Sequence, residues 1–323
     1  MEALVAPPFG RSLAGVSVLV TGAYGVVGAA LCSALLDAGA GVVALRRGAR
    51  PRSALVLGGA EARCAIVEGD VRDEALLTTA LREHGCAAAV HLAAQAVVGG
   101  SPRPTFEVNV AGTWTVLEAC RAAGVDRVVV ASTGAVYGAA PPPHTEATAL
   151  LATEPYAASK AAADLAALAY AAAFGLQVAT ARLANVYGPG DANRSRLVPS
   201  AIEAALAGRA PVLRSPGTAT RDLLFAGDAA HALLAIADLL GAGRGAGEAF
   251  NAGTGTPRTI ADITRSICAL AGVDAEPASA VSAGAEHRHL DASRLRTATG
   301  WTPQVPLEDG LRRTIDWYRE HPA

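Results

Sequence analysis

The sequence predicts an α/β protein with a doubly wound parallel sheet and a smaller C-terminal α/β lobe. In the first half of the chain, short apolar runs alternate with longer segments rich in helix-forming residues. Parallel strands connected by helices are buried on both faces, and for that reason they read as nearly continuous apolar runs. A break at Gly188-Pro189-Gly190 separates this half from a second one with shorter elements.

The elements follow from this alternation in chain order. The predicted strands are residues 16–20, 42–45, 64–67, 88–92, 127–131 and 177–183. The predicted helices are residues 29–38, 74–84, 105–123 and 157–174, with a terminal helix at Leu307–Glu320. We predict one domain over residues 11–185, to which a segment at about 219–253 returns, and a second lobe over residues 186–218 and 254–323.

Composition excludes several classes of function. The 323 residues carry 27 basic and 29 acidic side chains without blocks of like charge, which argues against nucleic-acid and polybasic membrane surfaces. The longest uncharged stretch, residues 165–181, is too rich in alanine to predict a membrane span. Five scattered cysteines without a CxxC pair, and residues 1–10 without a basic signal-peptide region, lead us to expect a cytoplasmic protein with reduced thiols.

The basic residues are almost all arginine. Twenty-six of the 27 are Arg, and the single lysine is Lys160. In a chain so biased toward arginine, a retained lysine indicates a position where the compact charge of an ammonium is needed and a planar guanidinium would not serve. Lys160 is therefore a candidate functional residue.

A glycine-rich turn, TGAYGVVG at residues 21–28, follows the first predicted strand and opens the next helix. Gly22 permits the tight turn, Gly25 lets the backbone approach a pyrophosphate, and Gly28 allows close packing of helix on strand. This context predicts a Rossmann-type dinucleotide site. We assign the whole turn to the cofactor, with Gly22, Tyr24, Gly25, Val26, Val27 and Gly28 as binding residues.

The ends of the next strands supply further candidate cofactor residues. Arg46 and Arg47 stand where an acidic side chain usually binds the adenosine ribose. They either clamp a 2′-phosphate, which favours NADP, or are solvated loop residues that stack on adenine; both readings stay open. Asp70 is positioned to accept a hydrogen bond from the adenine amino group. The remaining cofactor assignments are Val71, Leu92, Ala93, Ala94, Gln95 and Asn109.

Tyr156 and Lys160 stand four residues apart on one predicted helix, so the phenol and the ammonium share a face. The ammonium lowers the pKa of the phenol and can hold the nicotinamide ribose, while the phenol acts as a general base. Because Lys160 is the only lysine of the chain, its place four residues after a tyrosine is not a chance match.

Taken together, the motifs TGAYGVVG, HLAAQ, STGAVYG, YAASK, RLANVYGPGD and RDLLFAGDAAHA resemble the extended short-chain dehydrogenase/reductases of the NAD-dependent nucleotide-sugar epimerase/dehydratase family. The likeness covers about residues 14 to 320. Other segments, among them HLAAQAVVG and RSPGTATRD, are similar to bacterial CDP-glucose 4,6-dehydratases.

The resemblance implies NAD+ as cofactor, with NADP+ as the alternative, and a nucleotide-diphosphate sugar as substrate. It implies Tyr156 as base, Lys160 as its partner, and Thr133 as the hydroxyl that shares the proton of the sugar 4-OH. It implies a homodimer through the helices 105–123 and 157–174. The substrate-binding residues that it implies are Thr133, Tyr156, Asn185, Leu197, Val198, Arg221 and Arg288. We assign no metal, since His287 and His289 lack a third ligand.

Two positions favour one reaction of this family over the others. The 4,6-dehydratases that the chain resembles place an ionisable pair directly after the catalytic Thr or Ser, whereas here Gly134 and Ala135 stand there. Neither side chain can transfer a proton. We therefore predict a nucleotide-sugar 4-epimerase. The alternatives are an NADPH-dependent keto-sugar reductase, a 4,6-dehydratase and, least favoured, a non-catalytic dinucleotide sensor.

Overall fold

A computed structural model describes residues 9–96, 102–274, 277–279 and 286–322. It confirms the α/β class: among the described residues, seven strands form one parallel sheet in the order β11-β6-β5-β4-β1-β2-β3. The strands of this sheet are β1 Ser17–Thr21, β2 Gly41–Arg46, β3 Ala65–Glu68, β4 Cys86–His91, β5 Arg127–Thr133, β6 Gln177–Leu183 and β11 Ala249–Ala252. The order reverses beside β1, which pairs with β2 on one side and β4 on the other. A crevice at the carboxyl ends of such strands is where open α/β sheets bind ligands.

Helices cover both faces of the sheet. The helices are α1 Val26–Asp37, α2 Ala54–Leu57, α3 Glu74–Glu83, α4 Pro102–Phe106, α5 Gly112–Ala123, α6 Pro155–Phe174, α7 Leu197–Leu206, α8 Ala226–Gly241, α9 Ile260–Ala271, α10 Ser293–Thr299 and α11 Leu307–Glu320. Along β1, Val18 and Val20 join the apolar cluster under α1 and α8, while Leu19 joins the cluster under α3 and α5. This alternation is the two-residue period of a strand that is buried on both faces.

The predicted helix 105–123 differs from the structure in its beginning and its interior. It begins at Pro102, and a π-helical turn at Glu107–Ala111 joins α4 to α5. The Thr113 hydroxyl, in the first turn of α5, donates to the Asn109 carbonyl of this π turn at 2.6 Å. Such π turns are frequent at functional sites, and apolar periodicity does not reveal them.

Three small sheets follow in the described part of the second half of the chain. Their strands are β7 Asn185–Tyr187, β8 Val212–Leu213, β9 Thr220–Arg221, β10 Leu223–Phe225, β12 Arg258–Thr259, β13 Ala278–Ser279 and β14 His287–Arg288. They pair as β10-β7, β12-β9-β14 and β13-β8. A separate apolar cluster with Val198, Ile263 and Leu311 lies between α7, α9 and α11. The segment before β12 returns to the large sheet, since β11 pairs with β6.

The division into residues 11–185 with 219–253, and 186–218 with 254–323, stays a prediction. Within the described ranges, no helix combines the length and the apolar character needed to cross a membrane.

Candidate active site

The glycine turn between β1 and α1 is held by close contacts with the chain around it. Gly22 has a φ of 71°, and a Cβ there would lie 2.7 Å from the backbone nitrogen of Ala93. A Cβ on Gly28 would lie 2.1 Å from the Gly22 carbonyl oxygen. Both positions therefore require glycine, one for its conformation and its neighbour, the other for packing.

The ends of β1 and β4 are joined by a buried histidine. His91 Nδ1 lies 2.7 Å from Thr21 Oγ1, and its Nε2 lies 3.0 Å from Thr113 Oγ1. Because the Thr113 hydroxyl already donates to a carbonyl, it accepts from Nε2–H, and the Thr21 hydroxyl donates to Nδ1. Burial, reinforced by the charge of Lys160, lowers the pKa of His91 to about 3, so the ring is neutral.

A cavity of about 590 Å³ opens at these strand ends. Its lining includes the predicted residues Gly22, Tyr24, Gly25, Val26, Arg47, Val71, Leu92, Ala93 and Ala94. It also includes residues that the sequence did not assign to the cofactor, Arg50 to Ser53 and Gly190 to Asn193. The predicted Val27, Gly28, Arg46, Asp70, Gln95, Asn109, Tyr156 and Lys160 lie outside this lining. The glycine turn and the strand ends are thus brought together as the sequence predicts.

Arg46 and Arg47, which the sequence treats alike, have different surroundings. Arg46 Nη1 lies 3.0 Å from Glu61 and its Nη2 is paired with Glu68, while Arg47 lines the cavity. The Tyr24 hydroxyl also donates to Glu61, at 2.6 Å. Arg46 is therefore neutralised within the protein, and any contact of this strand end with a 2′-phosphate falls to Arg47.

Asp70 and Asn109 also have partners within the chain. Arg72 binds the Asp70 carboxylate at 2.8 Å and holds its pKa below the usual value. The Asn109 side chain accepts from the Gln95 amide at 2.7 Å and donates to Ser159 Oγ at 2.9 Å. Ser159 Oγ in turn donates to the Tyr156 carbonyl at 2.7 Å, so Asn109 braces the loop after β4 against α6.

Tyr156, Thr133 and Lys160 meet where β5 ends and α6 begins. Pro155 occupies the first turn of α6, where its missing N–H costs nothing. Burial raises the pKa of Tyr156 above its usual value, while the charge of Arg196 and a hydrogen bond with Thr133 act to lower it. Lys160 Nζ donates to the carbonyl of Ala131 on β5.

The lysine itself is buried, with 3 % of its surface exposed. Burial lowers the pKa of Lys160 to about 8, against the opposing charge of Asp164 one helical turn later. In this structure the groups that lower the pKa of Tyr156 are Arg196 and Thr133, not the lysine that the sequence predicts for that task. The ammonium instead donates to a backbone carbonyl of β5.

Two residues near Tyr156 were missed by sequence reasoning. Arg196 Nη1 lies 2.8 Å from Asp191 Oδ2, and Asp191 is buried at the wall of the cavity. The two residues belong to the loop between β7 and α7 and are five positions apart. No regular spacing marks them in the sequence, because a loop brings them to the site.

The predicted substrate residues lie on β7, α7, β9 and β14. Asn185 is exposed at the start of β7, and Leu197 and Val198 begin α7. The remaining two, Arg221 and Arg288, are register partners on β9 and β14. Both arginines are paired with Glu286, a residue that the sequence analysis did not identify. The distance from Arg221 Nη2 to Glu286 Oε2 is 3.0 Å. Burial, together with Arg288, lowers the pKa of Arg221 despite the charge of Glu286.

The positions that distinguish the reactions of this family form a tight turn. Gly134 begins the 3-10 turn Gly134–Tyr137, and the Thr133 hydroxyl accepts from the Ala135 amide at 3.2 Å. A Cβ on Gly134 would lie 2.9 Å from Leu290 Cδ2. A larger side chain at position 134 would therefore require Leu290 to move.

The two histidines considered as metal ligands have different contacts. His287 Nδ1 lies 3.1 Å from Thr220 Oγ1, and the backbone of His289 accepts from the His144 amide. Among the residues that the structure describes, no group of three or more His, Cys, Asp or Glu side chains could hold a metal ion.

Comparison with known proteins places this geometry in a family. The model of the NAD dependent epimerase/dehydratase family matches residues 18–253. A UDP-glucose 4-epimerase from Mycolicibacterium smegmatis is 35% identical over 93% of this chain and 98% of its own length. A dTDP-glucose 4,6-dehydratase from Xanthomonas campestris is 34% identical over 78% of each chain.

A trifunctional UDP-glucose 4,6-dehydratase, epimerase and reductase from Arabidopsis thaliana is 35% identical over 79% of this chain. The present chain spans only 39% of the length of that plant protein. The activities of the whole plant protein therefore bear on this chain only as proposals.

Solved structures show the same fold. A UDP-glucose 4-epimerase from Thermotoga maritima, solved with UDP-glucose, has a TM-score of 0.84 at 27% identity and covers 94% of this chain and 99% of its own. A dTDP-glucose 4,6-dehydratase from Streptomyces venezuelae, solved with NAD, has a TM-score of 0.84 at 33% identity and covers 95% of this chain and 98% of its own.

The cavity at β1 and α1 fits such a dinucleotide. A Cβ on Gly25 would meet only the Gly22 carbonyl, at 3.4 Å, so the outer side of the turn is open to a ligand. The first turn of α1 contains no acidic side chain, and its backbone N–H groups and helix dipole favour a pyrophosphate. The chain therefore belongs to the NAD-dependent epimerase/dehydratase family of extended short-chain dehydrogenase/reductases, as an enzyme that uses NAD.

Proposed function

We propose that this enzyme is a nucleotide-sugar 4-epimerase. One observation carries the choice among the reactions of the family: Thr133, Tyr156 and Lys160 are all present, while Gly134 and Ala135 after Thr133 lack ionisable groups. Eliminating water between C5 and C6 of a sugar needs one group that removes a proton and another that protonates the leaving hydroxyl. A side chain at position 134 would also have to displace Leu290, whose Cδ2 would lie 2.9 Å from a Cβ there.

The residues of the site divide into acid-base residues and residues that bind the substrate. Tyr156 removes the proton of the sugar 4-OH, and Thr133, hydrogen bonded to the phenol, shares that proton. The charge of Arg196 favours the phenolate that acts as base. Bound NAD supplies the chemistry of hydride acceptance from C4 and return to it. Arg221 and Arg288 bind the diphosphate and leave the hexose able to turn over, so that its other face is reduced.

The test measures products with UDP-, CDP-, dTDP- and GDP-hexoses in deuterated water. We expect a C4 epimer of at least one of them, with no deuterium at C5 and no net change in NAD absorbance. The matched control is Tyr156→Phe, which keeps the ring and removes the acid-base hydroxyl; its rate should fall by about 100-fold or more. No C4 epimer from any of the four would contradict the proposal.

The same experiment separates the other candidates. A 4,6-dehydratase, the reaction of several relatives, gives a 4-keto-6-deoxy product with solvent deuterium at C5. A keto-sugar reductase consumes NADPH stoichiometrically, and Arg47 at the cavity wall is the observation that favours it. A non-catalytic dinucleotide sensor turns over none of the four hexoses, and Tyr156→Phe then changes nothing measurable.

We also propose that the enzyme is a homodimer whose subunits meet through α5 and α6. Four large apolar side chains near or on these helices are exposed: Phe106 by 40%, Trp114 by 50%, Leu165 by 58% and Phe174 by 56%. Arg121 on α5 lies over the Phe174 ring of α6 at 5.5 Å, so the two helices share one surface. Large exposed apolar side chains on two neighbouring helices support an interface with a second copy.

A cytoplasmic location is a further part of the proposal. All five cysteines lie within the described ranges, and no disulfide joins any two of them. Thiols that stay reduced are usual in the cytoplasm.

A further inference from the structure

Three polar residues form a row along one face of α6. Tyr156, Lys160 and Asp164 follow each other at intervals of four, so their side chains lie on the same side of the helix. The first two belong to the proposed site of acid-base chemistry. Asp164 does not, although its carboxylate is fully buried one helical turn after the lysine. Burying a carboxylate is costly, so its place in this row calls for a function.

The carboxylate of Asp164 is bound by two residues of β6. Arg182 Nε lies 2.8 Å from Asp164 Oδ2, and Arg182 Nη2 donates to Asp164 Oδ1 at 3.3 Å. The Thr180 hydroxyl donates to the same Oδ1 at 3.0 Å. The side chains of Arg182 and Asp164 are 5% and 0% exposed, so the ion pair is shielded from solvent. The carboxylate therefore joins α6 to the neighbouring strand.

Arg182 is itself held from the other side. Its Nη1 donates to the Tyr137 hydroxyl at 3.1 Å, and its guanidinium carbon lies 5.3 Å from the centre of the Tyr137 ring. The Tyr137 hydroxyl donates in turn to Asn251 Oδ1 at 2.7 Å. The guanidinium is thus fixed between two buried partners, and it fixes the position of the Asp164 carboxylate.

Asp164 also affects the charge of Lys160. The ammonium donates to the Ala131 carbonyl and is buried. Burial lowers the pKa of Lys160 to about 8, and the charge of Asp164 acts in the opposite direction. Tyr156, one helical turn before the lysine, is raised in pKa by burial and is therefore neutral at rest. The carboxylate favours the protonated lysine against the effect of burial.

Other groups around α6 do not replace this carboxylate. The charged residues of the elements that pack against α6 are Arg103 on α4, Glu107 in the π turn, Glu118 and Arg121 on α5, Arg127 on β5 and Arg182 on β6. Glu107 lies 3.5 Å from Arg72, and Glu118 lies 2.6 Å from Arg121, so both carboxylates are paired. On β4, His91 is neutral.

We propose that Asp164 is a positioning residue that acts through Lys160: held in place by Arg182, its carboxylate keeps the lysine an ammonium that can bind the nicotinamide ribose. An ammonium has three N–H donors, and the bond to the Ala131 carbonyl uses one of them. Asp164 and Arg182 do not line the dinucleotide cavity, so their effect on the cofactor passes through the lysine. This role rests on the proposed function, in which Lys160 binds the cofactor beside the catalytic base.

The experiment uses the single lysine of the chain. In protein prepared with isotope-labelled lysine, one side-chain resonance titrates, and its NMR titration gives the pKa of Lys160 directly. We expect Asp164→Asn to lower this pKa from about 8 to about 7 or below. Asp164→Glu, which keeps the negative charge, should retain a value near that of the unmodified protein.

A second variant and a control separate this effect from a loss of stability. Asp164→Asn leaves Arg182 buried without its partner, so the double variant Asp164→Asn, Arg182→Met removes both charges and should also lower the lysine pKa. The matched control is Asp228→Asn. The Asp228 carboxylate is also buried, at 2% exposed, and accepts from the Gln304 and Val305 amides. Its loss should leave the lysine pKa unchanged.

Binding of NAD gives the second measurement. Its affinity, followed by calorimetry, should weaken as pH rises through the pKa of Lys160, because the ammonium loses its charge and a donor. In Asp164→Asn this weakening should begin about one pH unit lower. At pH 8 the Kd should then be up to about fivefold weaker than in the unmodified protein, since a smaller fraction of the lysine is protonated.

Two results would overturn the proposal. One is a Lys160 pKa that is the same in the single and double variants of Asp164 as in the unmodified protein. The other is a lowered lysine pKa with an unmoved pH dependence of NAD affinity. Neither measurement needs a sugar substrate, so a failure of the proposed epimerase activity leaves both interpretable.

Discussion

Glu286 is the residue that partly balances the charge of the two arginines of the proposed diphosphate site. It pairs with both Arg221 and Arg288, which lie opposite each other on β9 and β14. The Arg221 side chain is only 15% exposed, and a guanidinium buried to that degree is costly without a partner. Glu286 therefore stabilises the site before a ligand binds, and a diphosphate must compete with it.

Replacing Glu286 by Gln is expected to strengthen binding of a nucleoside diphosphate. The Glu286 side chain is 41% exposed, so solvent screens its charge and the gain is about two- to fivefold in Kd. Calorimetric titration with UDP and CDP at low and high salt measures it, and the gain should shrink at high salt.

The control for this titration is Glu320→Gln, which removes an exposed charge at the end of α11. It should leave the Kd unchanged. Equal or weaker binding to Glu286→Gln than to the unmodified protein would show that the carboxylate positions the arginines instead of competing with the ligand.

At this scale the sequence identifies residues whose type is required by the chemistry. Gly22 and Gly28 are predictable because only glycine fits their contacts, and Lys160 because the chain has no other lysine. Glu286, Arg196 and Glu61 are not predictable, because each acts through a partner that is distant in the sequence or on a loop. The pairing of Arg46 with Glu61 and Glu68 likewise depends on where two later segments fold.

Between elements, the contact through His91 joins β1, β4 and α5. The neutral ring bridges the Thr21 and Thr113 hydroxyls, and Thr21 Oγ1 also accepts from the Leu92 amide at 3.2 Å. The strand ends that flank the cavity are thus fixed by a side chain that must stay unprotonated. This arrangement makes the stability of the sheet depend on pH.

The unfolding free energy is expected to fall as pH falls from about 6.5 toward about 3. The folded pKa of His91 is about 3, below the usual value of 6.5, so the unfolded chain takes up the proton first. The contribution of neutral His91 to the unfolding free energy is complete above about pH 6.5. Below that pH it is lost at up to about 1.4 kcal/mol per pH unit. Urea denaturation between pH 4.5 and 7 measures it.

His91→Gln keeps a donor and an acceptor but does not titrate, so it should show a shallower dependence on pH in this range. His84→Gln, at an exposed position after α3, is the matched control and should follow the unmodified protein. Identical slopes for all three proteins would contradict the role assigned to His91.

Elements of the large sheet are predictable because burial on both faces makes their strands apolar. The predicted strand 177–183 matches β6, and the predicted strand 16–20 is displaced by one residue from β1. Two-residue strands such as β9 and β14 carry no such signal, since their pairing depends on distant segments. The π turn before α5 is also not predictable, because apolar periodicity does not distinguish it from α-helix.

For the whole molecule, the exposed apolar side chains of α5 and α6 are the feature that bears on assembly. Trp114 and Arg121 lie seven residues apart on one face of α5, and Arg121 contacts Phe174 of α6. The α/β class could be predicted from strand–helix alternation alone. The partner of this surface could not be predicted in the same way, because an alanine-rich helix is suited both to a subunit interface and to the core of a monomer.

Trp114→Glu is expected to convert a dimer into a monomer. The substitution places a charge in the proposed interface, where it would be desolvated without a partner. Light scattering coupled to size-exclusion chromatography at micromolar concentration measures the mass. Val212→Glu, which changes a side chain that is 67% exposed on β8, should keep the mass of the unmodified protein. A monomeric unmodified protein would exclude the interface.

Because Lys160 is buried, its chemical labelling measures how often the folded chain opens around it. Amine-directed acylating reagents have one side chain to modify, and it is 3% exposed and donates to the Ala131 carbonyl. Acylation at this position, or cleavage by a lysine-specific protease, therefore records each opening of the active site or of the helix that carries it. In a chain with many lysines, that signal would be lost among surface labels.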